Sequence, residues 1–274
     1  MPIRNILVAI DGTPSSETAL ASAVAMQQAY DAHLTGYVAT FENLRAGDDN
    51  SWLPSAIRNM LARNTAEVIE AIEAKFSSAT RHLVQEKIHL IERQHANDTS
   101  VAEASRFFDV TLVGIPETGG HRTALHPDRI ALLSGRPVMA FPHGFQTTGV
   151  SRRVMVAWDG SRAAARSLSS AIRLLETKET VTLVTVGGPP QAGIEASGLD
   201  PQTSLKRQGI AADWITVERS RQGIAHTILE QAERLQAELL IMGAFEHSKF
   251  REDLFGGVTN DVMAKTNIPI FLAH

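Results

Sequence analysis

Ile6-Leu7-Val8-Ala9-Ile10-Asp11-Gly12-Thr13-Pro14-Ser15-Ser16-Glu17-Thr18-Ala19-Leu20 returns later in the chain. There it reads Val154-Met155-Val156-Ala157-Trp158-Asp159-Gly160-Ser161-Arg162-Ala163-Ala164-Ala165-Arg166-Ser167-Leu168. Val8, Ala9, Asp11, Gly12 and Leu20 recur as Val156, Ala157, Asp159, Gly160 and Leu168, at a constant offset of 148 positions (8 to 156). Each copy is an apolar run of strand length, an Asp-Gly turn, and a helical pattern opened by a hydroxyl cap. A chain that opens this way twice reads as a tandem of two similar domains, 1–146 and 151–274, joined by a polar, glycine-containing linker. Its 274 residues agree with that reading, since domains run to roughly 100–200 residues each.

Working outward, strands alternate with helices in both halves. In the first, strands are expected at Ile6–Ile10, His33–Thr40, Ile88–Ile91, Val110–Val113 and Pro137–Phe141. Helices are expected from Pro14 to about Tyr30, Pro54 to Leu83, Thr99 to Phe107 and Pro127 to Leu133. The second half repeats the order, with strands at Val154–Ala157, Val181–Val186, Trp214–Val217, Leu239–Met242 and Ile268–Leu272. The halves differ mainly after the second strand, where the first has a long helix and the second a Pro/Gly-rich stretch with a short one. Short connections between alternating strands and helices predict parallel βαβ units and an α/β, doubly wound sheet of five strands in each domain. The last strands, Pro137–Phe141 and Ile268–Leu272, are short, apolar edges, and pairing them would join the halves as a pseudo-dimer.

Composition narrows the function. A hydrophobic fraction of 43%, a charged fraction of 20% and a net charge of −4 describe an ordinary globular chain with no basic footprint for nucleic acid. There is no cysteine, hence no disulfide framework or thiolate chemistry. No apolar run approaches the length of a membrane span, and no basic-then-apolar leader opens the sequence. A cytoplasmic protein without membrane or nucleic-acid partners is the expectation. The histidines, including His121, His126 and His143, lack zinc-ligand spacing.

The richest chemistry lies in Met242-Gly243-Ala244-Phe245-Glu246-His247-Ser248-Lys249-Phe250-Arg251-Glu252-Asp253-Leu254-Phe255-Gly256-Gly257-Val258-Thr259. It starts where a strand ends and finishes where a helix begins. The glycine pair lets main-chain N–H groups approach a ligand, and a helix N-terminus attracts anions. Thr259 can cap or donate to a phosphate, and Lys249 and Arg251 lie on the intervening loop. Asp159, after the first strand of this half, faces the same crevice, where open α/β sheets bind ligands.

With these residues the chain resembles the universal stress protein A superfamily, in its tandem two-domain form, over about 1–143 and 152–274. The resemblance implies an adenine nucleotide alpha hydrolase-like fold of strand order 3-2-1-4-5. It also implies a nucleotide motif G-x2-G-x9-G-(S/T) after the fourth strand. Gly243 matches its first glycine, Gly256 its third, and Gly257 the small position that follows. By the same resemblance, Asp159 meets the adenine or ribose side, while Ala157, Val186 and Met242 border the base of ATP. A magnesium ion would accompany the phosphates. Val258 and Thr259 complete the cradle.

Two departures matter. Glu246 replaces the second glycine, and a like charge costs about 1 kcal/mol at 4 Å in water and several times more near a partly buried site. Trp158 either stacks on adenine or fills its space. The first half lacks the pattern: Ala124 and Leu125 stand opposite Gly256 and Gly257, and Pro127 opposite Thr259. It is expected to bind no nucleotide this way, and its long helix either covers the crevice or docks on a neighbour. No P-loop or nucleophile elbow is present. The expectation is therefore a non-enzymatic, ATP-binding stress-response and signalling protein, with homodimers as a further option. The alternatives are an interaction protein of the same fold without nucleotide, then a slow ATP hydrolase.

Overall fold

A computed structural model describes residues 3–39, 55–93, 98–116, 125–146, 151–188, 199–244 and 257–274. The first half runs β1 (Asn5–Ile10), α1 (Pro14–Tyr30), β2 (His33–Ala39), α2 (Ser55–Thr80), β3 (Ile88–Arg93), α3 (Asp98–Ser105), β4 (Val110–Gly114), α4 (Pro127–Ser134) and β5 (Val138–Phe141). The second runs β6 (Arg153–Ala157), α5 (Arg162–Leu175), β7 (Thr180–Val186), α6 (Pro201–Arg207), β8 (Asp213–Val217), α7 (Ile224–Arg234), β9 (Leu239–Gly243), α8 (Gly257–Lys265) and β10 (Ile270–Ala273).

The repeated turn explains its own sequence. Gly12 and Gly160 have φ of 79° and 76°, a left-handed conformation that glycine adopts without steric cost. Asp11 Oδ1 accepts the Thr13 N–H at 3.0 Å and the Thr13 hydroxyl at 2.6 Å. Asp159 Oδ1 accepts the Ser161 N–H at 3.0 Å. The hydroxyls then cap the helices: Thr13 Oγ1 accepts from Ser16 N at 3.3 Å and Ser161 Oγ from Ala164 N at 3.0 Å. Pro14 follows the first cap, where its missing N–H costs nothing. Asp-Gly-Thr/Ser is thus a complete device for turning a strand into a helix.

Within each half the strand order is 3-2-1-4-5, as the resemblance implies, with neighbours parallel. The two sheets join through their last strands, the short apolar edges whose pairing was expected. The strands form a single ten-stranded sheet, β3-β2-β1-β4-β5-β10-β9-β6-β7-β8. At its centre β5 and β10 run antiparallel, Met139 opposite Phe271. Two short, apolar edges satisfy each other's main-chain groups instead of leaving them open to foreign strands.

Side chains alternate across this sheet with period two. Ile6, Val8 and Ile10, with Val154 and Val156, face the layer that holds α1, α2, α5 and α6. Leu7, Ala9 and Met155 face the layer of α3, α4, α7 and α8. Each core cluster runs through both halves, the first by way of Met139, Phe141 and Phe271, the second by way of Val138, Ala140, Ile270 and Leu272. Because the central pairing is antiparallel, the strand C-termini of the two halves point to opposite edges of the molecule.

Candidate functional site

The C-terminal strand ends of the second half bring together three of the residues singled out from sequence. Ala157 ends β6, Val186 ends β7, and Met242 lies at the end of β9. All three belong to the cluster on the α7/α8 face: Met242 is 4% exposed, and Ala157 and Val186 pack against it half-buried. Helix α8 begins on the same side. Gly257 and Val258 are exposed, whereas Thr259 is buried. Among the described residues, a Cβ built on Gly257 would meet nothing within 4 Å. The leading N–H groups of α8 lack partners within the helix and carry the positive end of the helix dipole. Lys249, Arg251 and Gly256, with Glu246 and His247, lie outside the described residues.

Trp158 requires correction. Period-two alternation sends residue 158 to the face opposite Ala157, and there it packs half-buried against the other cluster, beside α5 and α6. Its counterpart Ile10 is a buried core residue on the same face. Trp158 therefore neither borders the space beside Ala157 and Met242 nor fills it. Asp159 is exposed, and one of its oxygens braces the turn through Ser161.

Gly243 also has a cause independent of any ligand. A Cβ there would stand 2.7 Å from the Ala163 carbonyl carbon and the Ala164 nitrogen, where α5 crosses β9. At Gly114 the same atom would stand 2.6 Å from the carbon of Ser15 and the nitrogen of Ser16. The requirement is present in both halves, including the one without the glycine motif, so Gly243 by itself does not distinguish a nucleotide site.

The first half shows what a closed version of the crevice looks like. Leu125, opposite Gly257 in sequence, is 1% exposed. Just ahead of α4, the His126 N–H donates to Asp98 Oδ1 at 2.8 Å. His126 Nδ1 lies 3.2 Å from Asp98 Oδ2, and Arg129 Nη1 lies at 3.2 Å from the same oxygen. Asp98 and Asp128 are the only buried carboxylates among the described residues. The chain's own carboxylate thus occupies the anion-attracting end of α4. The hydrogen bond to Asp98 raises the His126 pKa, against desolvation, and burial raises that of Asp128. From α2, Ile72 and Val68 reach to 3.5 and 4.0 Å of the Cβ position at Gly12. The long helix therefore packs over the turn after β1, on the sheet face that also carries α1. The Asp98–His126 pairing was not legible beforehand, because it joins positions 28 apart across two helix starts.

Comparison with known proteins agrees with this architecture. The sequence pattern of the Universal stress protein family matches residues 151–274. The Bacillus subtilis (strain 168) stress response protein NhaX is 23% identical over 159 residues, covering 44% of this chain and 96% of that protein. The universal stress protein Slr1230 of Synechocystis sp. is 30% identical over 170 residues, covering 60% of this chain and 57% of that protein. Among solved structures, a universal stress protein from Archaeoglobus fulgidus DSM 4304 superposes with a TM-score of 0.72 over 98% of this chain and 95% of its own, at 16% identity. Residues 151–274 are a universal stress protein domain. Among the described residues no helix is long and apolar enough to cross a membrane, and no group of three or more His, Asp or Glu could hold a metal ion.

Proposed function

We propose that this chain is a cytoplasmic stress-response binding and signalling protein built of two domains, 1–146 and 151–274, and that the second binds an adenine nucleotide, ATP, in the crevice at the C-terminal ends of β6, β7 and β9. Ala157, Val186 and Met242 border the base. The main-chain N–H groups of Gly257, Val258 and Thr259 take the phosphates, aided by Lys249, Arg251 and Gly256, and magnesium accompanies the phosphates. Asp159 braces the turn beside the ribose. The residues present fit this ligand: an apolar floor on one sheet face, and an open glycine start to the helix beside it.

One observation carries the reading. The start of α8 is uncovered at Gly257 and Val258, whereas the equivalent start of α4 is closed by buried Leu125 and held by Asp98. Among the described residues, only the second of the two copies leaves the start of this helix uncovered.

The test begins with gently purified, then denatured, protein analysed by mass spectrometry for released ATP or AMP. It continues with melting temperature against added ATP and magnesium, where saturation at about 100 times Kd adds about 2.7 kcal/mol of stability. Gly257→Val should reduce that shift while leaving the unliganded melting temperature nearly unchanged. No released nucleotide and no ATP-induced shift would overturn the proposal. Those results would support the second reading, an interaction protein of the same fold, which Glu246 in place of the motif's second glycine favours.

A further inference from the structure

We propose that His33 and His89 form a two-coordinate site for a soft, closed-shell monovalent cation of the Cu(I) and Ag(I) type. The sheet itself brings the two rings together. His33 opens β2, and β3 lies beside it as the outermost strand of the first half. Thr35 is paired with His89, and residues two apart on a strand share a face, so His33 and His89 are diagonal neighbours on one face. The backbone beneath them is fixed. The His33 N–H donates to the Arg4 carbonyl at 2.7 Å, and β2 and β3 pair from Leu34–Ile88 to Ala39–Arg93. Both histidines are exposed, so an ion reaches them directly from solvent.

The geometry selects the kind of ion. His33 Nδ1 lies 3.2 Å from His89 Nε2, and the rings are parallel within 9° with their centres 5.5 Å apart. That separation matches the contact itself plus one ring radius at each end. The two nitrogens therefore point at each other along one line, with the rings edge to edge in a common plane and not stacked face to face. Lone pairs on one line suit a metal that takes two ligands opposite one another, the preference of Cu(I) and Ag(I). Zinc seeks tetrahedral corners, and Cu(II) or Ni(II) a square. Those geometries need lone pairs that converge at an angle, and further ligands. Among the described residues no third His, Asp or Glu joins the pair, and Asp31, two residues before His33, is bonded to Lys87.

When both rings are neutral, one N–H lies between the facing nitrogens and each ring carries a single proton. Binding moves the intervening proton to the outer nitrogen of its own ring by exchange with water, and both facing lone pairs then go to the metal. The rings lose no net proton. Metal–imidazole bonds of about 2 Å need the nitrogens about 4 Å apart, so the rings part by less than about 1 Å, which small side-chain rotations supply. The chain has no cysteine, so no thiolate competes for a soft ion.

The test titrates the full chain with silver nitrate in chloride-free buffer, followed by calorimetry and by NMR of the histidine ring nitrogens. The tightest step should take up a single ion, with His33 Nδ1 and His89 Nε2 shifting together. His33→Gln and His89→Gln should each weaken that step at least about tenfold, with the melting temperature retained because both residues are exposed. His82→Gln, at another exposed histidine, should leave it unchanged. Unchanged affinity in His89→Gln, ring shifts confined to one member of the pair, or zinc bound as tightly as silver would overturn the proposal. Should a glutamine variant fail to fold, the ring shifts of the unaltered chain decide alone. None of these outcomes bears on the nucleotide reading, which concerns the second half.

Discussion

Gly114 and Gly243 occupy equivalent places in the two halves, and each is kept small by the backbone of a helix crossing it. A methyl group at either position would sit within 2.6–2.7 Å of main-chain atoms that cannot rotate away. Overpacking of this kind typically costs about 1–3 kcal/mol. Gly243→Ala and Gly114→Ala should therefore both lower the denaturation midpoint in urea by comparable amounts, whether or not ATP is present. A Gly243→Ala protein of unchanged stability that had merely lost nucleotide affinity would refute the packing role. The same scale shows what sequence could have yielded for Trp158. Alternation along Val154, Val156 and Trp158 places all three on one face, and Ile10 in the first copy already marks that face as core. The motif drew the tryptophan toward the ligand, but the strand period directs it elsewhere.

At the scale of elements, the starts of α4 and α8 are the informative pair. Helix α4 begins against an internal anion, Asp98, tied to His126 and Arg129, whereas α8 begins with a bare glycine. Because the bond to Asp98 raises the His126 pKa, the folded state holds this proton more tightly than the unfolded chain. The resulting stabilisation is fully present below the unfolded value, about 6.5, and is lost as pH rises through the raised folded value. Asp98→Asn should consequently cost more stability at pH 5.5 (roughly a unit below the unfolded histidine value) than in mildly alkaline buffer. Denaturation midpoints measured across that range would check this, and a pH-independent difference would argue against the His126–Asp98 linkage. Element existence was readable throughout from periodicity, and boundaries moved by only a few residues. The long helix after β2 was read at Pro54–Leu83 and runs Ser55–Thr80, and what it covers became visible only when Ile72 was found over the Gly12 turn.

The whole molecule is governed by the antiparallel seam between β5 and β10. Both core clusters pass through it, so the two halves share their hydrophobic interiors as well as their sheet. Cooperative unfolding follows: calorimetry should give one transition with matching calorimetric and van't Hoff enthalpies. Phe271, 3% exposed at the seam, should cost about 3–5 kcal/mol when replaced by alanine. Two separated transitions in the unaltered chain would show instead that the halves melt independently. The seam also sets the two crevices at opposite edges, so a ligand in one does not touch the other.

The sequence by itself determined the duplication, the α/β class, the order of elements and the Asp-Gly-Thr/Ser turns, because these depend on residues near one another in the chain and on spacings of two and 3.6. Only the tertiary structure decided that the last strands meet antiparallel with Met139 opposite Phe271, that Asp98 holds the start of α4, that Gly243 yields to α5, and that Trp158 lies on the far face of the sheet. Those are meetings of distant segments. Their energies come from excluded volume and unpaired polar groups, which local patterning does not encode.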